Sequence, residues 1–224
     1  KSTLLSQVPV KLANRYGWRL AVKAFEDDYR LDFRPRFAAQ MFGRSPDSIT
    51  PQQWAEADKF MDEHLFVVDD PEGMTLMTHE YLLDTMEAAV RRHGVEMIVI
   101  DPWTMIQDGG QARSEVEQQK NDLGRWVHFA RKFDVHLAIV AHPRKQESDD
   151  HIPVGRDISG SAHWFNMVDL GVSCWRPDPT SDPDGECKVK VWKVKRQQTM
   201  GPLGTFEIGF HAPSHTFQAP FMAS

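Results

Sequence analysis

The stretch Met97-Ile98-Val99-Ile100-Asp101 is a run of four apolar residues that ends in a carboxylate. A short, continuous apolar run of this kind is typical of a strand buried on both faces of a parallel sheet. The segment before it, from Thr78 to Gly94, has apolar residues at helical spacing, and residues 112–133 after it predict a long polar helix. A strand between two helices predicts a parallel sheet with helical crossovers.

The same alternation of helices and apolar strands continues along most of the chain. It predicts an α/β sandwich with a mostly parallel sheet. In the last third, residues 188–195 and 204–210 alternate apolar and polar positions around Gly201-Pro202, which predicts an antiparallel hairpin appended to the sheet. The other predicted strands cover residues 18–25, 65–68, 135–141 and 170–175, and the other predicted helices cover residues 2–16, 28–42, 50–64 and 161–167.

The composition is that of a globular protein. The chain has 224 residues with 26 Lys plus Arg and 32 Asp plus Glu, which gives a formal net charge of −6. Hydrophobic residues make up 41% of it and charged residues 26%, which excludes intrinsic disorder. No apolar run reaches the roughly 18 residues of a membrane helix, and the first residues lack a secretory signal pattern. A chain with two cysteines is compatible with a reducing compartment. The negative net charge argues against a surface that is basic throughout, but it is compatible with a local basic groove.

Polar residues follow three of the predicted strands at the point where each strand ends. Glu26 follows the first strand, Asp101 follows the run quoted above, and His142 follows the strand over residues 135–141. Because ligands bind at the carboxyl edge of an open parallel sheet, the three side chains together predict one site. Each residue taken alone is also compatible with a turn, a helix cap or a structural histidine.

Lys1 and Ser2 open the first helix and match the end of the phosphate-binding motif G-x-x-x-x-G-K-[ST], whose glycines are not in this sequence. In that chemistry a helix N-terminus and an ammonium bind phosphate oxygens, whereas a hydroxyl and a carboxylate bind Mg²⁺. Lys1 and Ser2 would supply the first groups and Asp101 the carboxylate. Glu26 is placed to align and deprotonate a water, and His142 to hydrogen-bond the terminal phosphate.

Five segments occur in an order that is informative as a set: Lys1-Ser2-Thr3-Leu4-Leu5, Ala24-Phe25-Glu26, Ile98-Val99-Ile100-Asp101, Ile139-Val140-Ala141-His142-Pro143-Arg144-Lys145, and Trp192-Lys193-Val194-Lys195-Arg196 with Gly201-Pro202-Leu203-Gly204. Together they resemble the RecA-like motor domain of DnaB-type hexameric replicative helicases over nearly the whole chain. The similarity is strongest to the branch of phage primase-helicases and mitochondrial replicative helicases, where the sensor is a histidine. The resemblance implies a RecA-like P-loop NTPase sandwich in one domain over residues 1–224, truncated at its N-terminus within the Walker A loop.

The resemblance also implies roles for the strand-end residues. Asp101 matches the Walker B aspartate, Glu26 the catalytic glutamate and His142 the phosphate sensor. Lys1, Ser2 and Thr3 match the nucleotide-binding end of Walker A, with Ser2 and Asp101 as ligands of Mg²⁺. The implied cofactors are ATP, or another NTP or dNTP, and Mg²⁺.

A basic cluster follows the first strand of the hairpin. It matches the family's Lys-x-Arg segment, which reaches into the neighbouring subunit's nucleotide site as an arginine finger. This chain reads Lys193-Val194-Lys195-Arg196, so the spacing departs from the family's. We predict Arg196 as the finger and Lys193 and Lys195 as further nucleotide contacts. Alternating lysines on an edge strand are also a common protection against aggregation.

A finger supplied by a neighbour implies a homo-oligomer, most simply a hexameric ring. The other implied partners are single-stranded DNA and an attached or associated primase, and no membrane. Backbone phosphates need only scattered cations, so an acidic domain can still carry a basic pore. The predicted DNA contacts are Arg113, Arg144, Lys145 and Arg156, although residues in such loops can equally be solvated ones.

The favoured function is a nucleotide-hydrolysing motor that translocates on single-stranded DNA and unwinds duplex in replication, in the cytoplasm of a bacterial or phage-infected cell. Two alternatives stay open, namely a RecA-like recombination or assembly ATPase without unwinding, and a non-catalytic DNA-binding fragment. The missing glycines of the phosphate-binding motif favour the second alternative, the non-catalytic fragment, because without them we expect weak nucleotide hydrolysis by residues 1–224 alone. They also lead us to expect a further strand before Lys1. A zinc site or a serine hydrolase fits poorly, because the histidines lack ligand spacing and no G-x-S-x-G motif is present.

Overall fold

The structure is a computed structural model that describes residues 2–69, 77–107, 114–144, 151–158, 161–176 and 186–218. Lys1, Arg113 and Lys145 lie outside the described residues. None of the helices formed within these ranges is long and apolar enough to cross a membrane. The elements in chain order are α1 (Ser2–Tyr16), β1 (Leu20–Ala24), α2 (Arg34–Phe42), α3 (Pro51–His64), β2 (Leu65–Val67), α4 (His79–His93), β3 (Met97–Asp101), α5 (Glu115–Phe133), β4 (His136–Ile139), α6 (Ser161–Met167), β5 (Leu170–Trp175), β6 (Glu186–Val194), α7 (Gln197–Met200), β7 (Gly204–His211) and β8 (Thr216–Gln218).

Four parallel strands form the first sheet, in the order β2-β1-β3-β4. β1 pairs with β3 up to Ala24 opposite Asp101, and β3 pairs with β4 up to Ile100 opposite Ile139. Every residue of β3 is buried, as a central strand covered on both faces requires. The predicted α/β architecture with a mostly parallel sheet is confirmed.

Successive residues of β1 and β3 point to opposite faces of this sheet and bury two separate cores. On one face, Val22 and Val99 pack with apolar residues of α1, α2 and α3. On the other face, Ile98 and Ile100 pack with α4, α5 and α6, and the cluster includes the fully buried Trp126. Because both faces are covered by helices, the strand needs apolar residues at every position rather than at every second one.

Capping residues fix the ends of the helices. At the start of α3, the Gln53 backbone N–H donates to the Thr50 hydroxyl at 3.3 Å, and the Thr50 backbone N–H donates to Gln53 Oε1 at 3.1 Å. This reciprocal pair satisfies two N–H groups that the helix itself cannot bond. Gly94 ends α4 with a φ of 65°, a left-handed conformation that glycine adopts at low cost.

The segment predicted as one helix over residues 28–42 has two parts. The Asp28 carboxylate accepts two backbone N–H groups, each at 2.8 Å, and so caps a π-helical turn over Tyr29–Phe33. The α-helix proper begins at Arg34. Pro35 then lies in its first turn, where the missing N–H of proline costs nothing.

The C-terminal strands form a second, antiparallel sheet in the order β5-β6-β7-β8. The prediction of a hairpin appended to the parallel sheet is therefore corrected. The hairpin β6-β7 is present, but β5 and β8 flank it, and within the described ranges it pairs with no strand of the parallel sheet. A two-stranded hairpin alone is marginally stable, and β5 and β8 supply the extra strands that it needs.

Side-chain amides attach this second sheet to α1. Gln7 Nε2 donates to the Phe217 carbonyl at 2.9 Å, and the Phe217 N–H donates to Gln7 Oε1 at 2.6 Å. Gln40 Nε2 donates to the carbonyls of Thr3 at 3.0 Å and His215 at 2.8 Å. Since Gln7 and Gln40 are buried, these bonds are shielded from water. They hold β8 and the turn before it against α1.

The ring of Trp192 in β6 packs between two glycines. A Cβ atom added at Gly155 or Gly171 would overlap the Trp192 ring, well inside van der Waals contact. The other side of this cluster is the Phe165 ring, which stacks on Trp192 at a centroid distance of 5.8 Å. The two glycines are therefore required by the packing of the Trp192 ring rather than by a turn. This packing holds residues 155 and 171 against β6.

We expect Gly171→Ala to lower the free energy of unfolding by about 1–3 kcal/mol, because the new methyl group must displace the Trp192 ring. Gly209→Ala in β7 is the matched control, since a Cβ there meets nothing within 4 Å. It should leave stability unchanged or raise it slightly by stiffening the unfolded chain. Urea unfolding of both variants measures the difference, and equal midpoints would show that Trp192 is not confined as described.

Candidate functional site

The pairing of β1 with β3 brings Glu26 and Asp101 to the same edge of the parallel sheet. Ala24 lies opposite Asp101 in the ladder, and the Phe25 N–H donates to the Asp101 carbonyl at 2.8 Å. Glu26 is therefore two residues beyond the end of β1, which ends level with Asp101. The carboxyl ends of parallel strands meet at one edge, and this is where ligands of such sheets bind.

Asp101 is the buried centre of this group, with 8% of its surface exposed. Burial raises the pKa of its carboxyl above the ordinary value, because the charged form has lost water. The neighbouring carboxyls of Asp27 and Glu26 raise this pKa further, whereas a hydrogen bond from the Ser2 side chain lowers it. A carboxylate held close to two others in this way is a site that a cation would stabilise.

Ser2 is the first residue of α1, and its side chain hydrogen-bonds to the Asp101 carboxyl. A helix N-terminus carries unpaired N–H groups and a partial positive charge, so it favours anions such as phosphate. Thr3 follows, with its side chain half-buried, and its carbonyl accepts hydrogen bonds from Ser6 Oγ and Gln40 Nε2, each at 3.0 Å. Serine hydroxyl, carboxylate and helix N-terminus thus lie together, as the sequence predicts.

Ser2 and Asp101 are better suited to binding a magnesium ion than to a metal that is coordinated by protein side chains alone. Within the described part of the chain, no three His, Cys, Asp or Glu side chains form a group that could hold a metal ion. Magnesium usually keeps several waters and takes only one or two protein ligands together with phosphate oxygens. Ser2 and Asp101 offer such a pair, one hydroxyl and one carboxylate.

Asp27 and Arg36 belong to the same group, and the sequence analysis missed both. They form an ion pair through Arg36 Nη2 and line a small pocket together with Ser2 and Asp101. Arg36 Nε is buried and, among the described residues, has no hydrogen-bond partner. Its charge also lowers the pKa of His215, although burial is the larger cause of that shift. The one available signal was an acidic residue directly after Glu26.

His142 reaches the same edge on the next strand. The Val140 N–H donates to the Ile100 carbonyl at 2.9 Å, so the chain runs beside the end of β3 beyond the last residue of β4. His142 follows two residues later and is exposed. Among the described residues, its ring makes no hydrogen bond.

The basic cluster lies in a different place, at the end of β6 in the antiparallel sheet. Lys193 Nζ donates to the carbonyls of Phe165 and Asn166, and burial lowers its pKa. Lys195 Nζ pairs with Asp169 at 2.8 Å. Arg196 is exposed and has no ion pair or hydrogen bond through its side chain within the residues that are described. The cluster is thus not part of the acidic group at the parallel edge.

Arg144 and Arg156, two of the four predicted DNA contacts, are brought close by an antiparallel pairing. Pro143 bridges to Ile158, and the Arg144 N–H donates to the Asp157 carbonyl at 2.7 Å. Both arginines are exposed, and the Arg156 guanidinium lies 4.9 Å from the centre of an aromatic ring. They therefore present positive charge on adjoining segments of the surface.

A family model described as an AAA domain matches residues 1–148, which is more than half of the chain. The chain belongs to this AAA domain family. Asp101, Glu26 and Ser2 all lie within the matched part of the AAA domain, and so does His142. The basic cluster at the end of β6 lies beyond it.

A curated relative is similar over a longer part of the chain. The Twinkle homolog protein, chloroplastic/mitochondrial, of Arabidopsis thaliana is 28% identical over 216 residues. The match covers 91% of this AAA domain chain and 30% of the plant protein. The chain therefore spans under a third of that relative's length.

Two solved structures share the fold of this AAA domain chain. The first, described as an ATPase domain, has a TM-score of 0.80 at 14% identity, covering 98% of this chain and 80% of that chain. The second, a DnaB-like replicative helicase described with its primase interactions, has a TM-score of 0.77 at 14% identity, covering 97% of this chain and 55% of that one. The predicted RecA-like fold and the resemblance to DnaB-type motor domains are confirmed.

We expect Asp101→Asn to stabilise the fold at neutral pH. The folded-state pKa of Asp101 is raised above 3.8, so its charge opposes folding once the pH exceeds that value. The stability gap between variant and native chain should therefore widen as the pH rises above about 4 and become constant above the folded-state pKa of Asp101. Urea unfolding at several pH values measures it.

Asp58→Asn is the control of opposite sign. The Arg34 guanidinium donates to Asp58 at 2.6 Å and 2.8 Å and holds the pKa of that carboxyl below its ordinary value. Its ionised form supports folding at every pH above that ordinary value, so Asp58→Asn should be less stable than the native chain by an amount that no longer changes as the pH rises above about 4. A gap for Asp101→Asn that does not change with pH would contradict the assigned burial of its charge.

Proposed function

We propose that this chain is the nucleotide-hydrolysing motor of a DnaB-type helicase, which moves along single-stranded DNA and unwinds duplex in replication. The observation that carries the proposal is the convergence of Ser2, Asp101 and Glu26 at the N-terminus of α1 and the carboxyl edge of β3. Phosphoryl transfer depends mainly on positioning and charge neutralisation, which this group can provide. The names of the similar proteins, a Twinkle homolog and a DnaB-like replicative helicase, support the same direction.

The nucleotide would bind with its phosphates at the N-terminus of α1. Ser2 and Asp101 would hold Mg²⁺, which supplies neutralisation of the charge on the phosphate oxygens. Lys1, which precedes α1, would add an ammonium to the same phosphates. Arg36 and Asp27 line the pocket beside Ser2, and the Arg36 guanidinium holds Asp27 in place through their ion pair. The cofactor is ATP or another nucleoside triphosphate.

Glu26 is the residue that would align and deprotonate the attacking water. It is exposed at the sheet edge, whereas Asp101 beside it is buried, so the two carboxyls are suited to different tasks. The exposed carboxylate can reach a water molecule, and the buried one can hold a cation. His142, on the next strand end, would hydrogen-bond the terminal phosphate and so respond to its loss.

A positive charge from a neighbouring subunit would complete the same site. Lys193 and Lys195 are bound within their own chain, which leaves Arg196 as the member of the cluster that can reach another subunit. We infer that Arg196 acts as an arginine finger across the interface of a homo-oligomer, most simply a hexameric ring. Lys193 and Lys195, whose ammonium groups contact carbonyl and carboxylate oxygens of their own chain in the structure, would add further contacts to the same nucleotide.

Single-stranded DNA would bind along the surface that carries Arg144 and Arg156, together with Arg113 and Lys145. These cations can neutralise backbone phosphates without reading bases, as a translocating motor requires. The net charge of −6 does not oppose this, because the local surface decides binding. An associated primase remains part of the proposal, and a cytoplasmic, bacterial or phage setting remains a prediction.

We expect Glu26→Gln to reduce nucleotide hydrolysis by about 10²- to 10⁴-fold in the intact protein while nucleotide affinity is retained, because only the proton acceptor is lost. Glu207→Gln, an exposed glutamate in β7, is the matched control and should hydrolyse at the native rate. Steady-state phosphate release and binding of a fluorescent nucleotide separate the two effects. Unchanged turnover in Glu26→Gln would refute the assignment.

Mixing two inactive variants tests the finger. Arg196→Ala leaves Glu26 intact, and Glu26→Gln leaves Arg196 intact, so some interfaces in a mixed ring combine both native residues. We therefore expect hydrolysis to reappear on mixing, at up to about a quarter of the native rate if subunits assort at random and sites act independently. Arg92→Ala, an exposed arginine at the end of α4, should be active without mixing. No recovery from a mixture that forms rings would place the finger elsewhere.

A further inference from the structure

We propose that Cys174 and Cys187 are an oxidation site that closes reversibly into a disulfide between β5 and β6. The two sulfur atoms lie 3.1 Å apart, although the residues are 13 positions apart in sequence. In the structure the pair is reduced, and the two thiols contact each other rather than forming a disulfide. They are also the two cysteines of the chain, so any disulfide within it must join this pair. This proposal is independent of the proposed function.

The strand register explains why the thiols meet. Cys174 lies opposite Val189 in the antiparallel pair, so Cys187 is the diagonal neighbour two residues away. Residues two apart on a strand share a face, which places both side chains on the same side of the sheet. A disulfide has an S–S distance of about 2.05 Å, so the sulfur atoms need to approach by only about 1 Å.

The two thiols differ in burial, and this assigns their roles. Cys187 is fully buried, and its hydrogen bond with Cys174 and its burial both raise its pKa above the ordinary value. Cys174 is partly exposed, so an oxidant can reach it from solvent. The thiolate is the reactive form of cysteine. Cys174 is therefore the thiol that reacts first, and Cys187 is the one that resolves the product.

Hydrogen peroxide can oxidise the two thiols to a disulfide in two steps. The Cys174 thiolate attacks one oxygen of hydrogen peroxide, the O–O bond breaks, and the products are a sulfenic acid and hydroxide. The sulfur of Cys187 then attacks the sulfenic sulfur, the S–O bond breaks, and the Cys187 proton leaves with that oxygen as water. The two thiols lose two electrons, and the peroxide gains them. A dithiol reductant reverses the reaction by thiol exchange.

The location of the pair limits what the disulfide would do. Cys187 lies at the start of β6, about 23 Å along the strand from Val194, where the basic cluster follows. The bond would join β5 to β6 covalently and close the chain between them. We therefore expect it to stabilise the antiparallel sheet without blocking the nucleotide site.

The test is oxidation of the native 224-residue chain with hydrogen peroxide, followed by thiol counting under denaturing conditions and mass spectrometry. We expect two titratable thiols to fall to none, the mass to drop by about 2 Da, and a peptide linking Cys174 to Cys187. The thermal midpoint should rise by about 5 °C, and dithiothreitol should reverse every change. Persistent thiols, sulfinic acids in both positions, or disulfides only between chains would overturn the proposal.

Single variants test the assigned roles. In Cys187→Ala the sulfenic acid on Cys174 has no partner, so dimedone should trap it. In Cys174→Ala the buried Cys187 should react with peroxide at least tenfold more slowly than the native pair. If Cys187→Ala fails to fold, the Cys174→Ala rate still decides the matter. A Cys187 that reacts as fast alone as in the native chain would contradict the assignment of Cys174 as the first thiol.

Discussion

The parallel register between β1 and β3 is the constraint on which the candidate site depends. Because Ala24 lies opposite Asp101, the residues that follow β1 lie beside a carboxylate that is almost completely buried. A shift of one residue would turn Asp101 to the opposite face and replace the apolar contacts of both strands. The two cores on either side of the sheet therefore fix where Glu26 and Asp101 lie. The packing of these two cores therefore determines which side chains meet at the carboxyl edge of the sheet.

Most of the parallel part of the fold is predictable, because its signals are local. The apolar run at residues 97–100 needs burial on two faces, and Thr50 and Gly94 mark helix ends by their own capping chemistry. The pairing of β5 with β6 is different. It depends on contacts between segments that look alike in sequence, since an apolar strand can join either sheet. The π-helical turn over Tyr29–Phe33 likewise follows from one carboxylate, that of Asp28, which no periodicity shows.

The same distinction separates the predictable part of the site from the rest. Glu26, Asp101 and His142 lie at the ends of strands or within three residues of them, so their common edge follows from the topology of the sheet. Arg36 reaches that edge from a helix, and the sequence around it gives no sign that its guanidinium pairs with Asp27. Nor can spacing distinguish members of a basic cluster. The difference between Lys195, paired with Asp169, and the exposed Arg196 exists only in three dimensions.

The bonds between Gln7 and Phe217 have a consequence for the order in which the molecule forms. They join residues 210 positions apart, so the entropy of closing almost the whole chain is lost before they contribute. Contacts of such long range form late and slowly. On a ribosome, α1 is made well before β8, so Gln7 cannot acquire this partner until Phe217 has been synthesised. The helix that presents Ser2 therefore reaches its final position only after β8 has paired with it.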